Sequence, residues 1–322
     1  MKRFLLRVLL GLFISLGIYS FSYGQQFAYS WLNQLEGSSQ IEVLDIEEEA
    51  SYVYVLGKFY GTVDFKASYT PGALTASTAS GSLFFGLFFK DGGSAYYVRK
   101  IEGTTGTPTI YGTDLELAGS YVYVSGYFDG TVDFDPSPTT RTYTTYGSYD
   151  GFIGKYARYT GNWVWAQRIG GTSFDYVHGI AIDASDNVYA VGNFYGTCDF
   201  DPSGAIVNRV SNGSADLFMA RYTSLGAFSW AVNYGDASYQ SARDVEIDGS
   251  YMYVTGYGAG SISMVNNALG YTTVDSYGGY DPFFAKIGLA TPFCYMLKNF
   301  GGTGNEYAFD MALDASGNIF IT

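Results

Sequence analysis

One histidine, His178, and two cysteines, Cys198 and Cys294, are all that 322 residues offer of the side chains that most often bind zinc or drive acyl transfer. A His-based zinc site needs several such ligands, and a Ser/His/Asp triad needs a nucleophile on a GxSxG elbow that this chain lacks. Two cysteines are also too few for a disulfide framework, and they read as two buried thiols acting as small hydrophobes. Charge is scarce at 15%, and what there is leans acidic, with 17 Lys and Arg against 30 Asp and Glu. Nucleic acid and anionic lipid reward basic clusters, so neither is an expected partner.

Apolar runs long enough to cross a membrane are missing as well. The longest, Phe4 to Ile18, follows Lys2 and Arg3, contains Arg7, and precedes the small residues Ser22 and Gly24. That is the pattern of a secretory signal peptide over residues 1–24, leaving 25–322 as the exported body with no membrane span after cleavage. Cleavage removes three basic residues and no acidic one, so the mature chain is more acidic than the formal −13.

What the chain has in abundance is 42 Gly, 32 Tyr and 24 Phe, the composition of many short strands joined by tight turns. A Tyr-rich strand ending in glycine recurs as YVYVLGKFYGTVDF from Tyr52, YVYVSGYFDGTVDF from Tyr121, NVYAVGNFYGTCDF from Asn187 and YMYVTGYGAGSIS from Tyr251. Its glycines Gly57, Gly126, Gly192 and Gly256, read as turn residues, are 69, 66 and 64 residues apart, and a fifth copy begins with NIFIT at Asn318.

Four strands recur in fixed order around this anchor, which is strand B. Strand D carries a tryptophan or its stand-in (SWLNQL from Ser30, AYYVRKI from Ala95, NWVWAQRI from Asn162, FSWAVNY from Phe228, FCYMLKNF from Phe293). Strand A follows (VLDIEEE, TDLELA, HGIAIDA, RDVEID, FDMALD), and strand C closes the unit with an aromatic and a base (LFFGLFFK, DGFIGKY, DLFMARY, DPFFAKI). The alternation within each strand has period two. A four-stranded sheet that is apolar on both faces must stack on sister sheets, which predicts an all-β protein, a β-propeller of four-stranded antiparallel blades with five repeats, the last incomplete. Thr322 falls one residue before the expected glycine, so the chain reads as truncated.

The run GNWVWAQRIGGTSFDYVHGIAIDASDNVYAVGNFYGTCDFDP resembles the SBBP-type β-propeller repeat of exported bacterial proteins. The resemblance implies display at the cell surface or outside the cell, because such repeats often precede a sorting domain. It implies little about activity, since its motifs are strand and turn residues.

The recurring polar feature is the first carboxylate of strand A: Asp45, Asp114, Asp244 and Asp310, with Gly179 interrupting the series. On an innermost strand these acids would ring a channel and favour Ca²⁺ or Mg²⁺. Alternatively each pairs with a strand C base (Lys90, Lys155, Arg221, Lys286) or accepts from neighbouring backbone N–H groups. The DFDP segments at Asp133 and Asp199 read as turn chemistry, and Glu47 to Glu49 as the solvated end of a strand. His178 reads as a strand residue at a blade edge, TGNWVW from Thr160 as a hairpin with tryptophan packing, and Asn212 as a loop sequon. The functional expectation is a non-catalytic module that binds protein or glycan at the cell surface. A glycoside hydrolase or lyase with paired carboxylates and a structural spacer are the alternatives.

Overall fold

The computed structural model describes residues 40–65, 73–76, 78–90, 94–201, 203–314 and 316–322. The predicted leader and the first D strand, SWLNQL, lie outside the described residues. Every described element is a β-strand.

Four consecutive antiparallel meanders run A-B-C-D. The A strands are Ile41–Glu49, Ile110–Ala118, Asp175–Ile182 and Gln240–Asp248; the B strands are Tyr52–Phe59, Tyr121–Phe128, Val188–Asp199 and Tyr251–Gly258. The C strands are Ser82–Phe89, Asp150–Ala157, Asn208–Tyr222 and Asp281–Gly288; the D strands are Ala95–Thr105, Trp163–Gly171, Phe228–Tyr234 and Cys294–Asn299. A pairs with B, B with C and C with D in each meander. Met311–Leu313 and Ile319–Ile321 form a further hairpin at the A and B positions. The sequence repeat D-A-B-C therefore straddles two sheets, with D closing one and A opening the next.

Two features depart from the sequence reading. Between B and C an additional ribbon appears, as Thr62–Asp64 with Ala73–Thr75, Thr131–Asp133 with Thr142–Thr144, and Ser261–Val265 with Tyr271–Asp275; in the third meander the long B and C strands run through it. The ribbons stitch neighbouring sheets, since Glu102 and Gly103 pair with Asp133 and Val132, and Gly170 and Gly171 with Asp199 and Cys198. The second departure concerns the recurring glycines, which lie inside the B strands rather than in turns. A Cβ at Gly192 would strike the carbonyl of Tyr176 and stand 2.8 Å from the Phe218 ring, and Gly57, Gly126 and Gly256 meet the same two neighbours in their own sheets. Glycine is required there by close approach of strand A and an aromatic ring of strand C.

Alternation sends successive residues into different cores. Val122 and Val124 pack with Tyr54, Leu56, Phe85 and Tyr97 of the preceding sheet, whereas Tyr123 joins Val177, Ile180 and Tyr222 of the following one. Tyr189, Val191, Leu217 and Met219 likewise meet Val245, Val254 and Phe283. Each such side chain contributes about 1.5–3 kcal/mol by leaving water, and it does so only because a sister sheet covers it. Cys198 is fully buried at the ribbon position held elsewhere by Val63 and Val132. Cys294 is buried at the position of Trp163.

The A strands lie side by side in chain order, each against the next. They begin at the end of each sheet where B strands finish, and that shared end is the rim on which the site is built.

Candidate functional site: bulge residues beneath an aromatic rim

The recurring aspartates join one A strand to the next. Asp45 accepts from Ile46 N and, across the seam, from Leu115 N, both at 2.8 Å; Asp114 accepts from Ile180 N at 2.8 Å. Asp244 accepts from Val245 N at 2.9 Å and from Met311 N at 2.7 Å, and Asp310 also accepts from Met311 N. Gly179 breaks this ladder by proximity, because a Cβ there would stand 3.1 Å from Asp244 Cα. Of the two alternatives to a channel cation, these bonds are the backbone one. Among the described residues no three His, Cys, Asp or Glu side chains are gathered to hold a metal ion.

The strand C bases go elsewhere. Lys155 and Lys286 lie over Tyr121 and Tyr251, 3.8 and 4.1 Å from the ring centroids, Arg221 lies over Tyr189, and Lys90 pairs with Glu48 at 3.1 Å. Glu49 pairs with Arg158 at 2.9 Å and Glu48 is exposed, but Glu47 is buried, so the acidic run meets solvent only beyond Glu47. Asp133 and Asp199 each accept backbone N–H bonds from residues two and eight further on, which is turn chemistry. Asn162 closes a hairpin on Ala157, and the Asn212 amide is occupied by Asp216 and Gly235.

One residue before each ladder aspartate the register slips. The A–B pairing skips Leu44, Thr113, His178 and Arg243, so every A strand carries a β-bulge at that position, and Phe309 is its equivalent before Asp310. A bulge turns its side chain out of the pleat, and here the turned residues link neighbours. Thr113 Oγ1 donates to Val177 O at 2.9 Å. His178 Nε2 lies 2.8 Å from Arg243 Nη1 and 2.8 Å from the side-chain amide of Asn193, and the Arg243 guanidinium sits 5.4 Å from the rings of Tyr257 and Phe309. Nε2 serves only one of these contacts as a hydrogen bond, accepting from the guanidinium or donating to Asn193 Oδ1, and the buried imidazole is neutral in either case. Burial, then the Arg243 charge, pull the His178 pKa down to about 3. Ser241 and Tyr239 hydroxyls donate to the same Asn193 amide at 3.0 and 3.4 Å.

Aromatic side chains surround these bulges. Tyr111, Tyr127, Tyr149, Phe174, Tyr176 and Tyr195 form one connected series, and Tyr239, Tyr257, Tyr280, Tyr307 and Phe309 continue it through the Tyr195–Tyr239 contact. Several pairs are nearly parallel: Tyr111 with Tyr127 at 28°, Tyr239 with Tyr257 at 24°, and Tyr307 with Phe309 at 23°. Phe174, Tyr307 and Phe309 keep 41%, 42% and 54% of their surface exposed and the other members are half-buried, so the series meets solvent along part of its length. Lys58 lies 3.8 Å above Tyr111 but is only 1% exposed, which leaves Arg243 as the partly exposed cation among the bulge residues.

Below the rim, Asp150 is sealed at the start of a C strand and Asp175 at the start of the next A strand, with 0% and 1% exposure. Asp150 accepts a backbone N–H from Tyr146 and has a second oxygen without a hydrogen-bond partner; Asp175 accepts from Gly171 N and lies against the buried Cys198 thiol. Arg168 stands 3.5 Å from Asp150. Burial raises both pKa values, Asp150 to about 6 and Asp175 to about 8, and the Asp150 charge adds to the second. Asp216 at the equivalent place is instead bonded by Asn212 and Asn233.

Sequence reasoning found the ladder aspartates and the aromatics but missed the bulge position. Its signal was present, a chemically varied residue (Leu, Thr, His, Arg, Phe) fixed immediately before the recurring aspartate or the Gly179 that replaces it.

The family model described as a β-propeller repeat, SBBP, matches residues 164–193, from the second D strand through the His178 bulge to Asn193. An uncharacterized WD repeat-containing protein of Acanthamoeba polyphaga mimivirus is 25% identical over 224 residues. That alignment covers 60% of this chain and 16% of the viral protein, so the chain spans under a fifth of its relative's length.

Proposed function

From a chain that carries a β-propeller repeat of the SBBP type, we propose an exported, non-catalytic propeller that binds protein or glycan at the cell surface through its aromatic rim. The meanders are its blades, with the A strands innermost and the hairpin Met311–Leu313 with Ile319–Ile321 opening a fifth. The observation that carries this reading is the connected, partly exposed series of aromatic rings around the bulge residues. Rigid amphipathic rings supply contact area at low entropic cost, and their hydroxyls supply orientation. Export rests on the leader read from residues 1–24.

The hydrolase alternative is disfavoured by placement. Its best pair, Asp150 and Asp175, is shut away from any sugar. A Ca²⁺ or Mg²⁺ ion at the A-strand acids is likewise disfavoured, because their oxygens accept backbone N–H bonds. The test is a glycan array together with a surface pull-down using the full chain and a Tyr257→Ala/Tyr307→Ala variant. Binding by the parent that the variant loses is the expected outcome; no binding in either assay would overturn the reading.

A further inference from the structure

Arg243 is the feature of the rim that packing does not account for. Lys90, Lys100, Arg158 and Arg168 each have a carboxylate within 4 Å, while Lys58, Lys155, Arg221 and Lys286 lie over tyrosine rings away from the rim's exposed edge or buried beneath it. Arg243 has no such carboxylate among the described residues. Its neighbour, His178, is neutral and leaves the guanidinium charge unbalanced. The equivalent positions hold Leu44, Thr113, His178 and Phe309, so the fold itself does not demand a cation there. Tyr257 and Phe309 each lie 5.4 Å from the guanidinium on the side of the rim. One contact further in, Asn193 is 1% exposed and has an amide nitrogen without a hydrogen-bond partner. A guanidinium held at a partly exposed position, with one of its nitrogens against His178, has its remaining N–H groups for a planar anion such as a carboxylate.

Resting on the rim reading above, we propose that the ligand is a carboxylate-bearing saccharide, its uronate-type carboxylate on Arg243 and its sugar rings on the aromatic side chains of the rim. The spacing of charge selects this class. A single available cation suits a chain with isolated carboxylates, whereas polysulfates and nucleic acids need many. The exposed rings Phe174, Tyr307 and Phe309 offer surfaces against which the C–H faces of sugar rings can lie, and the tyrosine hydroxyls of the rim can reach sugar hydroxyls. An acidic peptide would find the Arg243 charge but no use for those surfaces.

The experiment is titration calorimetry of the full chain with an oligosaccharide of alternating glucuronate and N-acetylglucosamine, its carboxyl-reduced counterpart, and a glutamate-rich peptide. The acid form is expected to bind about tenfold or more tightly than the reduced form, as one charge-assisted bidentate contact would give. Arg243→Gln should bring the two forms level, Arg243→Lys should keep part of the preference, and Tyr257→Ala should weaken both forms. Equal affinity for the two forms, an acid preference surviving in Arg243→Gln, or peptide binding as tight as the acid sugar would each overturn the proposal. Equal binding of both sugars would leave the rim reading standing. Loss of all glycan and protein binding would sink both.

Discussion

At the scale of single residues, the ladder aspartates and the buried acids make opposite demands. Asp244 serves two buried N–H groups, one of them in the neighbouring strand, so Asp244→Ala is expected to cost about 1–3 kcal/mol for each donor it orphans. Urea denaturation checks this, and Asp244→Asn, which keeps an acceptor oxygen, should recover part of the loss. Asp175 is held at a pKa of about 8, far above its unfolded value, chiefly by burial. The folded state therefore keeps a proton that the unfolded state releases. This contribution is complete below about pH 4, declines as pH rises, and is exhausted once pH passes about 8. Asp175→Asn cannot ionise, so it is expected to lie close to the parent near pH 5 and to be more stable by about 1–3 kcal/mol at pH 8. Melting curves at the two pH values decide it, and a variant equally destabilised at both would refute the assignment. The sequence located the ladder acids because they recur in register. It could not show that their bonds cross to the next strand, since spacing along the chain says nothing of the distance between sheets. The acid pair was illegible for the same reason, its members lying 25 residues apart in different sheets.

At the scale of elements, strand and order were legible and local irregularity was not. Period-two alternation placed all four strand types because both faces of each sheet are buried and each residue must choose one. The three-residue ribbon strands are too short to carry a period, so TVD read as the tail of strand B. Bulges defeat the same reading, since one extra residue at His178 reverses the faces that follow. The glycines were found but assigned to turns, because a strand followed by glycine looks the same whether the glycine bends the chain or makes room for Phe218. The distinction can be measured. Gly192→Ala puts a methyl group against Tyr176 O and Phe218 within a packed seam, and is expected to cost at least about 1–3 kcal/mol or prevent soluble expression. Gly204→Ala meets nothing within 4 Å and costs only the strain of its φ of 89°, so it should fold. Equal tolerance of the two alanines, by thermal melting, would restore the turn reading.

At the scale of the whole molecule, stability is shared between neighbours, since each seam has its own core and its own crossing bonds. Hydrogen bonds close the seam in the ladder, and this separates two accounts of what the acidic inner strands are for. If acids ringed a channel without donors, their mutual repulsion would destabilise the fold until a divalent cation bound, and the cation would raise the melting temperature by mass action. Here Asp45, Asp114 and Asp244 are buried yet accept N–H bonds from their own or the following strand, so their charge is already stabilised by oriented dipoles. A bound ion would have to displace bonds that join the strands. Millimolar Ca²⁺ or Mg²⁺ and excess EDTA are therefore expected to give the same Tm within about 1 °C, whereas a 1 kcal/mol gain would move it by about 2–4 °C even in a domain of 150–250 residues. A cation-dependent rise of that size, abolished in Asp114→Asn, would show that the inner acids hold an ion as well as joining the strands.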